Sequence, residues 1–280
     1  DLGGTLRTVF GAVTPAKVIS ASLDEQLANG WSKDHQAPAD IDVALPCPPD
    51  SAVAALLGAL PKSKSAPLAR VTPKQTGDIG SGPIDLRCLA RAFAAASDGL
   101  ETTITRLPLG WPAEYTPFHG PLDYVGFDGG GGVGSGPGMA IGSALALMGS
   151  GRIPVAILGD GDTLMGGNAL WTAAHYRIPL LIVVANNRSY FNDEMHQQRV
   201  AEARDRPVAN RWIGQRIDDP AVDLPAFARA LGFVADETVT DAAKLTGVLR
   251  AAMAGVAAGE CRLVNVEVTP GYASAPSKDD

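Results

Sequence analysis

The stretch GDGDTLMGGNALWTAAHYRIPLLIVVANN, residues 159–187, decides the fold prediction. It ends in IPLLIVVANN, a continuous apolar run that is typical of a strand covered on both faces in a parallel sheet. The segment before it, GGNALWTAAHYR, predicts a helix, and Asp160 directly follows another apolar run, IPVAILG. Strand, helix and strand in this order predict two neighbouring parallel strands that each end in polar residues.

The same alternation extends outward from this unit in both directions. We therefore predict an α/β fold with a doubly wound parallel sheet for residues 84–280. The predicted elements are a helix at 84–97, a strand at 101–108, a short strand at 123–127, a helix at 139–148, a strand from 153, a helix at 166–177, a strand at 178–187 and further alternation through 268.

Residues 1–62 predict part of a second α/β domain. Strand patterns at 16–23 and 41–46 precede a helix pattern at 48–60. Residues 63–83 are rich in Pro, Ser, Gly and Lys without periodicity, which predicts an interdomain linker.

Composition excludes several classes of function. The chain has 280 residues and a net charge of −7, with no basic stripe, so we do not expect nucleic-acid binding. No apolar run reaches the roughly 18 residues of a membrane span. Three scattered cysteines argue against a disulfide framework or a zinc site and favour a cytoplasmic protein. The chain starts without Met and resembles mid-chain sequence, so we expect a fragment or a processed subunit.

Asp160 and Asn187 suggest a shared metal–phosphate site. Gly159 and Gly161 let the backbone approach a ligand closely, and the start of the following helix favours a phosphate. A phosphate beside a carboxylate needs a cation between them, and Mg²⁺ prefers an octahedron of oxygens. Asp160, the Asn187 side-chain carbonyl and the backbone carbonyl of Ser189 can each supply one oxygen.

Other interpretations remain open at this point. Gly129, Gly131 and Gly134 match GxGxxG, so an NAD-binding oxidoreductase with Asp160 on the ribose is an alternative. Taken singly, Asp160 fits a helix N-cap and the asparagines fit a turn. A non-catalytic subunit that keeps the fold is a third possibility.

GDG, then 24 residues (162–185), then NN resembles the signature of thiamine diphosphate-dependent enzymes. ALWTAAHYRIPLLIVVANN and GGGGVGSGPGMAIGSALAL are similar to the branch that holds benzoylformate decarboxylase, pyruvate decarboxylase and acetohydroxyacid synthase. The resemblance covers residues 84–268, and residues 1–60 look like the second half of that family's middle domain. It implies a thiamine diphosphate- and Mg²⁺-dependent (or Ca²⁺-dependent) decarboxylase or acetolactate synthase-like carboligase acting on a 2-oxo acid.

The resemblance also implies residue roles. Asp160, Asn187 and the Ser189 carbonyl are metal ligands, Gly131 holds the aminopyrimidine, and Val133 supports the bent cofactor. All cofactor-binding positions implied in this way are Thr103, Gly131, Gly132, Val133, Gly159, Asp160, Gly161, Asp162, Asn187, Ser189, Tyr190 and Phe191.

Two departures from the family pattern matter. Asp162 stands where the branch often has Ser or Ala, so it faces away, caps a helix or reaches the metal through water. The family's activating glutamate belongs to an N-terminal pyrimidine-binding domain, so no catalytic residue is identifiable here. We expect the chain to be inactive without that domain, supplied by a missing half or another chain of a homodimer or homotetramer.

His196, in FNDEMHQQR (191–199), follows the metal loop. It is a candidate substrate contact or lid residue, and a solvated helix start is the equal alternative.

Overall fold

Two compact units, Asp1–Arg70 and Val71–Asp280, make up the chain. The computed structural model describes residues 17–23, 41–62, 74, 77–116, 118–126 and 132–271. In the first unit, strand β1 (Ile19–Ala21) pairs in parallel with β2 (Val43–Leu45), and helix α1 (Pro49–Ala59) follows. These elements lie where the sequence predicts them.

The second unit is a five-stranded parallel sheet in the order β3-β4-β5-β7-β6 with helices on both faces. The predicted α/β fold is confirmed. Its elements are α2 (Leu86–Ser97), β3 (Thr102–Arg106), α3 (Ser135–Leu147), β4 (Ile153–Gly159), α4 (Asp160–Gly166), α5 (Ala169–Tyr176), β5 (Leu180–Asn186), α6 (Phe191–Ala203), α7 (Leu224–Ala230), β6 (Val234–Ala235), α8 (Ala242–Ala257) and β7 (Cys261–Glu267), with a 3₁₀ turn at Ala113–Tyr115.

Strand β5 forms the centre of the core, and each of its residues is buried. Leu181 and Val183 belong to the apolar cluster that includes α2 and α8. Ile182 and Val184 belong to the opposite cluster, with α3, α5 and α7. Because both faces are covered, the strand is apolar throughout rather than alternating. Each such side chain stabilises the fold by about 1.5–3 kcal/mol through burial.

Three local predictions differ from the structure. Helix α3 begins at Ser135, before the predicted 139, because Gly134 adopts a left-handed conformation (φ 99°) that turns the chain directly into the helix. Helix α4 begins at Asp160 itself, whereas the sequence predicts a helix only from residue 166. At 123–127, a strand was expected, but within residues 118–126 Tyr124 forms a single parallel bridge with Ile104.

In the part of the chain that the structure describes, no helix combines the length and apolarity needed to cross a bilayer.

Candidate cofactor site

A cavity of about 520 Å³ lies at the carboxyl ends of β3, β4 and β5, and we call it the Asp160 cavity. Its position matches the general rule that open α/β sheets bind ligands beyond the carboxyl ends of their strands. Nine of the predicted cofactor positions line it, namely Val133, Gly159, Asp160, Gly161, Asp162, Asn187, Ser189, Tyr190 and Phe191. The remaining lining residues are Leu86, Arg106, Leu107, Pro108, Leu109, Tyr124, Gly126, Ile157, Leu158, Ala185, Asn192, Asp193, Val268 and Gly271.

Asp160 carries a buried carboxylate, and one of its oxygens has no hydrogen-bond partner among the described residues. Its side chain begins α4 and is only 3% exposed. Oδ1 accepts a hydrogen bond from the Gly161 N–H at 3.0 Å, whereas Oδ2 has no partner among the described residues. An unpaired buried carboxylate oxygen is costly unless a cation neutralises it.

The pKa of Asp160 reflects the same environment. Burial raises this pKa from 3.8 to about 6, and the N–H groups of Gly161, Asp160, Ser189 and Arg188 oppose the rise. The N–H groups of the loop after β5 therefore favour the charged carboxylate, but they do not replace the missing positive charge.

The asparagine side chains at the end of β5 accept hydrogen bonds from the loop that follows. The side-chain oxygen of Asn186 accepts from the Arg188 N–H at 3.0 Å, and that of Asn187 accepts from the Ser189 N–H at 3.0 Å. These two successive turns are stabilised by Arg188 in the left-handed region (φ 58°). An amide oxygen has two lone pairs, so the Asn187 oxygen can accept this bond and still bind a cation.

The donor set fits Mg²⁺. Carboxylate, amide and backbone carbonyl oxygens are the hard ligands that this ion prefers. Within the described ranges, no group of three or more His, Cys, Asp or Glu side chains could hold a metal. Asp160, Asn187 and the Ser189 carbonyl stay the predicted ligands of a metal at this site.

Glu194 supports this loop from behind, a role that sequence reasoning missed. It lies on α6 and is 3% exposed. The Ser189 hydroxyl donates to its Oε1 atom. Arg216 Nε lies 3.5 Å from Oε1 and Arg211 Nε lies 3.9 Å from Oε2. The polar sequence FNDEMHQQR gave no sign that one of its acids would turn inward.

Asp162 caps a helix, which is one of the three roles expected for it. Its Oδ1 atom accepts from the N–H groups of Gly134 and Gly136, at 2.6 and 3.2 Å. These groups belong to the start of α3, where N–H groups lack partners within the helix. Asp162 therefore ties the glycine-rich turn before α3 to the start of α4.

Tyr190 packs its ring on Gly161. A Cβ atom at position 161 would lie 2.2 Å from the Tyr190 Cε1 atom. Burial raises the pKa of Tyr190, and the nearby carboxylates of Asp160 and Asp162 raise it further. The ring thus lies between the loop after β5 and the start of α4.

Thr103 is not part of the cavity, so the expectation that it reaches the diphosphate is corrected. It lies near the amino end of β3, paired with Pro154, whereas the cavity is at the carboxyl end. It is fully buried, and its hydroxyl accepts from Arg152 Nε at 2.7 Å. Arg152 also bonds to Glu101 and Asp123, at 2.7 and 2.6 Å, so Thr103 belongs to a structural network.

Three further predicted residues are not placed in the cavity. His196 is exposed on α6 and does not line it. Gly132 is exposed and also does not line it, although its carbonyl accepts from the Ser135 N–H at 3.2 Å. Gly131 lies outside the described residues.

The residues at the carboxyl end of β3 line the cavity, and the sequence did not predict them as part of the site. Arg106 ends this strand, and the loop Leu107–Leu109 follows it along the cavity wall. The predicted strand at 101–108 ran past its true end, which hid these residues. The rule that ligands bind beyond carboxyl ends of strands could have found them.

The comparisons with known proteins identify the family of the chain. The family model described as "Thiamine pyrophosphate enzyme, C-terminal TPP binding domain" matches residues 108–266. The chain belongs to this family. The thiamine diphosphate assignment is thereby confirmed at the level of the family.

Similar proteins include benzoylformate decarboxylase from Pseudomonas aeruginosa, which is 34% identical over 128 residues, or 46% of this chain and 22% of that protein. A thiamine diphosphate-dependent 4-hydroxybenzoylformate decarboxylase from Rhodococcus jostii RHA1 aligns with a TM-score of 0.67 and 22% identity, over 92% of this chain and 45% of that one. Benzoylformate decarboxylase from Polynucleobacter necessarius aligns with a TM-score of 0.67 and 17% identity, over 95% and 46%. The chain spans less than half the length of these proteins.

Proposed function

We propose that this chain is the diphosphate- and metal-binding part of a thiamine diphosphate- and Mg²⁺-dependent decarboxylase of a 2-oxo acid. The observation that carries the proposal is the buried Oδ2 atom of Asp160, which has no partner among the described residues. The N–H groups of Arg188 and Ser189 lie near the same carboxylate. Family membership and the benzoylformate decarboxylase relatives support it.

The residues of the chain act by binding and positioning. Asp160, Asn187 and the Ser189 carbonyl would hold Mg²⁺, which in turn would hold the diphosphate. Thiamine diphosphate, when bound, supplies the carbon nucleophile and the electron sink for the loss of CO₂. The activating glutamate and the rest of the substrate pocket come, in this proposal, from a pyrimidine-binding domain, within a homodimer or homotetramer.

The cavity walls favour a substrate with an apolar group. Leu107, Leu109, Tyr124 and Val133 line the cavity. Leu109, Tyr124 and Val133 are exposed, and Leu107 is partly buried. An aryl 2-oxo acid would cover part of this surface, which is favourable because apolar area leaves water. Benzoylformate is therefore the first substrate to test.

Calorimetry on the chain tests the cofactor site. Thiamine diphosphate is titrated with Mg²⁺ and then with EDTA, into the wild type, Asp160→Ala and Asp193→Asn. The last variant removes an exposed carboxylate of the same cavity and is the matched control. We expect binding that requires Mg²⁺, that Asp160→Ala abolishes and that the control retains. Binding of NAD without metal, or no binding, would refute the proposal.

Activity is tested with a pyrimidine-binding domain added to the chain. Benzoylformate is supplied and the products are followed by NMR. Benzaldehyde and CO₂ identify a decarboxylase, whereas a 2-hydroxy ketone identifies an acetolactate synthase-like carboligation. Cofactor binding without turnover would indicate a non-catalytic subunit.

A further inference from the structure

Arg106 stands at the carboxyl end of β3, directly beside the strand that leads to Asp160. It pairs in register with Ala156 of β4, and β4 continues to Gly159. The Arg106 side chain is half-buried, lines the Asp160 cavity, and places Nη1 3.9 Å from Met139 Sδ on α3. The guanidinium is thus positioned between the sheet and the helix that follows the glycine-rich turn.

Arg106 is a basic residue in a cavity whose other described lining residues are acidic or uncharged. Asp160, Asp162 and Asp193 line the cavity, and among the described lining residues Arg106 is the only basic one. Asp162 already accepts two backbone N–H groups. A divalent cation at Asp160 would compensate that carboxylate and part of a diphosphate's charge, so further positive charge is needed for a bound anion.

A guanidinium suits this task. It stays charged at all accessible pH values and presents donors in a planar fork that matches phosphate and carboxylate oxygens. Partial burial reduces the screening that weakens exposed charge pairs.

We propose that Arg106 is an oxyanion-binding residue of the Asp160 cavity. This proposal rests on the proposed function. Two sources can supply the oxyanion, the diphosphate of the cofactor or the carboxylate of the 2-oxo acid.

Calorimetry separates these sources. Wild type, Arg106→Gln and Arg106→Lys are titrated with thiamine diphosphate in the presence of Mg²⁺, and then with benzoylformate at saturating thiamine diphosphate. Arg199→Gln, an exposed arginine on α6 outside the cavity, is the matched control. Circular dichroism and thermal unfolding verify folding, and Arg106→Lys carries the test if Arg106→Gln does not fold.

The expected result is a loss of about 10- to 100-fold in affinity for one of the two probes in Arg106→Gln, as for a charge-assisted hydrogen bond. A smaller loss is expected in Arg106→Lys, and none in the control. Weaker thiamine diphosphate binding assigns the diphosphate, and weaker benzoylformate binding alone assigns the carboxylate.

Two outcomes overturn the proposal and differ in what they say of the site. Wild-type affinity of Arg106→Gln for both probes overturns this inference and leaves the proposed function standing. Failure of the wild type to bind thiamine diphosphate with Mg²⁺ overturns both.

Discussion

The carboxylate of Asp162 occupies the space that a side chain at Gly136 would need. A Cβ atom at position 136 would lie 2.1 Å from Asp162 Oδ2, while Oδ1 of the same carboxylate accepts from the Gly136 N–H at 3.2 Å. The glycine and the acid therefore depend on each other, and together they join the start of α3 to the start of α4 beside the candidate metal site.

Gly136→Ala is expected to destabilise the chain. The added methyl group must displace the Asp162 carboxylate and so breaks the cap, for an expected cost of about 1–3 kcal/mol. The free energy of unfolding in urea measures it. Gly138→Ala on the same helix is the matched control, since nothing lies within 4 Å of its Cβ position, and it is expected to be neutral or stabilising by up to about 1 kcal/mol.

The double variant Gly136→Ala/Asp162→Ala tests the cause. Removing the carboxylate relieves the clash, so the two substitutions are expected to cost clearly less together than the sum of the singles. Simple additivity would show that the cost of Gly136→Ala does not come from Asp162.

Gly161→Ala is expected to displace the Tyr190 ring and with it the loop after β5. The methyl group would meet the Tyr190 ring at 2.2 Å, and Tyr190 directly follows Ser189. We expect about 1–3 kcal/mol of destabilisation and weaker Mg²⁺-dependent binding of thiamine diphosphate by calorimetry. Gly142→Ala on α3, with open space at its Cβ position and outside the cavity, is the control and should bind more tightly than Gly161→Ala. Equal affinities would contradict the role of the Tyr190 ring.

The sheet could be predicted from sequence because its signal is local and strong. The run at 178–187 is apolar throughout, which requires cover on both faces, and β5 has that cover. Asp160 and Asn187 could be predicted to meet because both follow strands of one parallel unit, and both line the same cavity.

The contacts made by long-range packing could not be predicted. The inward turn of Glu194 depends on Arg211 and Arg216, which lie far along the chain. The capping by Asp162 depends on Gly134, which lies directly before another helix. The resemblance implies Thr103 as a cofactor contact, but Thr103 lies near the amino end of β3, and the carboxyl end belongs to Arg106.

Stability without metal is expected to fall as pH rises through 6. The pKa of Asp160 is raised by burial from 3.8 to about 6, so the folded state binds this proton more tightly than the unfolded state. The resulting stabilisation is fully present below about 3.8 and is lost above about 6, with an upper limit of the order of 2–3 kcal/mol.

Asp160→Asn removes the titrating group. The difference in the free energy of unfolding between this variant and the wild type measures the contribution of Asp160. With EDTA present, the variant is expected to be more stable than the wild type at pH 8, and by a smaller margin at pH 5, in urea unfolding. Mg²⁺ should then stabilise the wild type and not the variant. Asp193→Asn, which alters an exposed carboxylate, should show neither effect. A wild type that is the more stable protein at pH 8 without metal would contradict the burial cost.

Glu194→Gln is expected to lower the free energy of unfolding more than Ser189→Ala does, because Glu194 supports the loop after β5 through more contacts. The first substitution leaves Arg211 and Arg216 without their shared carboxylate and weakens the acceptor of the Ser189 hydroxyl. Since both arginines are partly exposed, we expect a cost of about 2–4 kcal/mol, near the lower range for a broken buried pair. Ser189→Ala removes one hydrogen bond and should cost about 1 kcal/mol. Urea unfolding gives both values, and calorimetry with Mg²⁺ and thiamine diphosphate should rank the affinities in the same order. Equal costs would mean that the arginines contribute nothing and that the hydroxyl alone fixes Glu194.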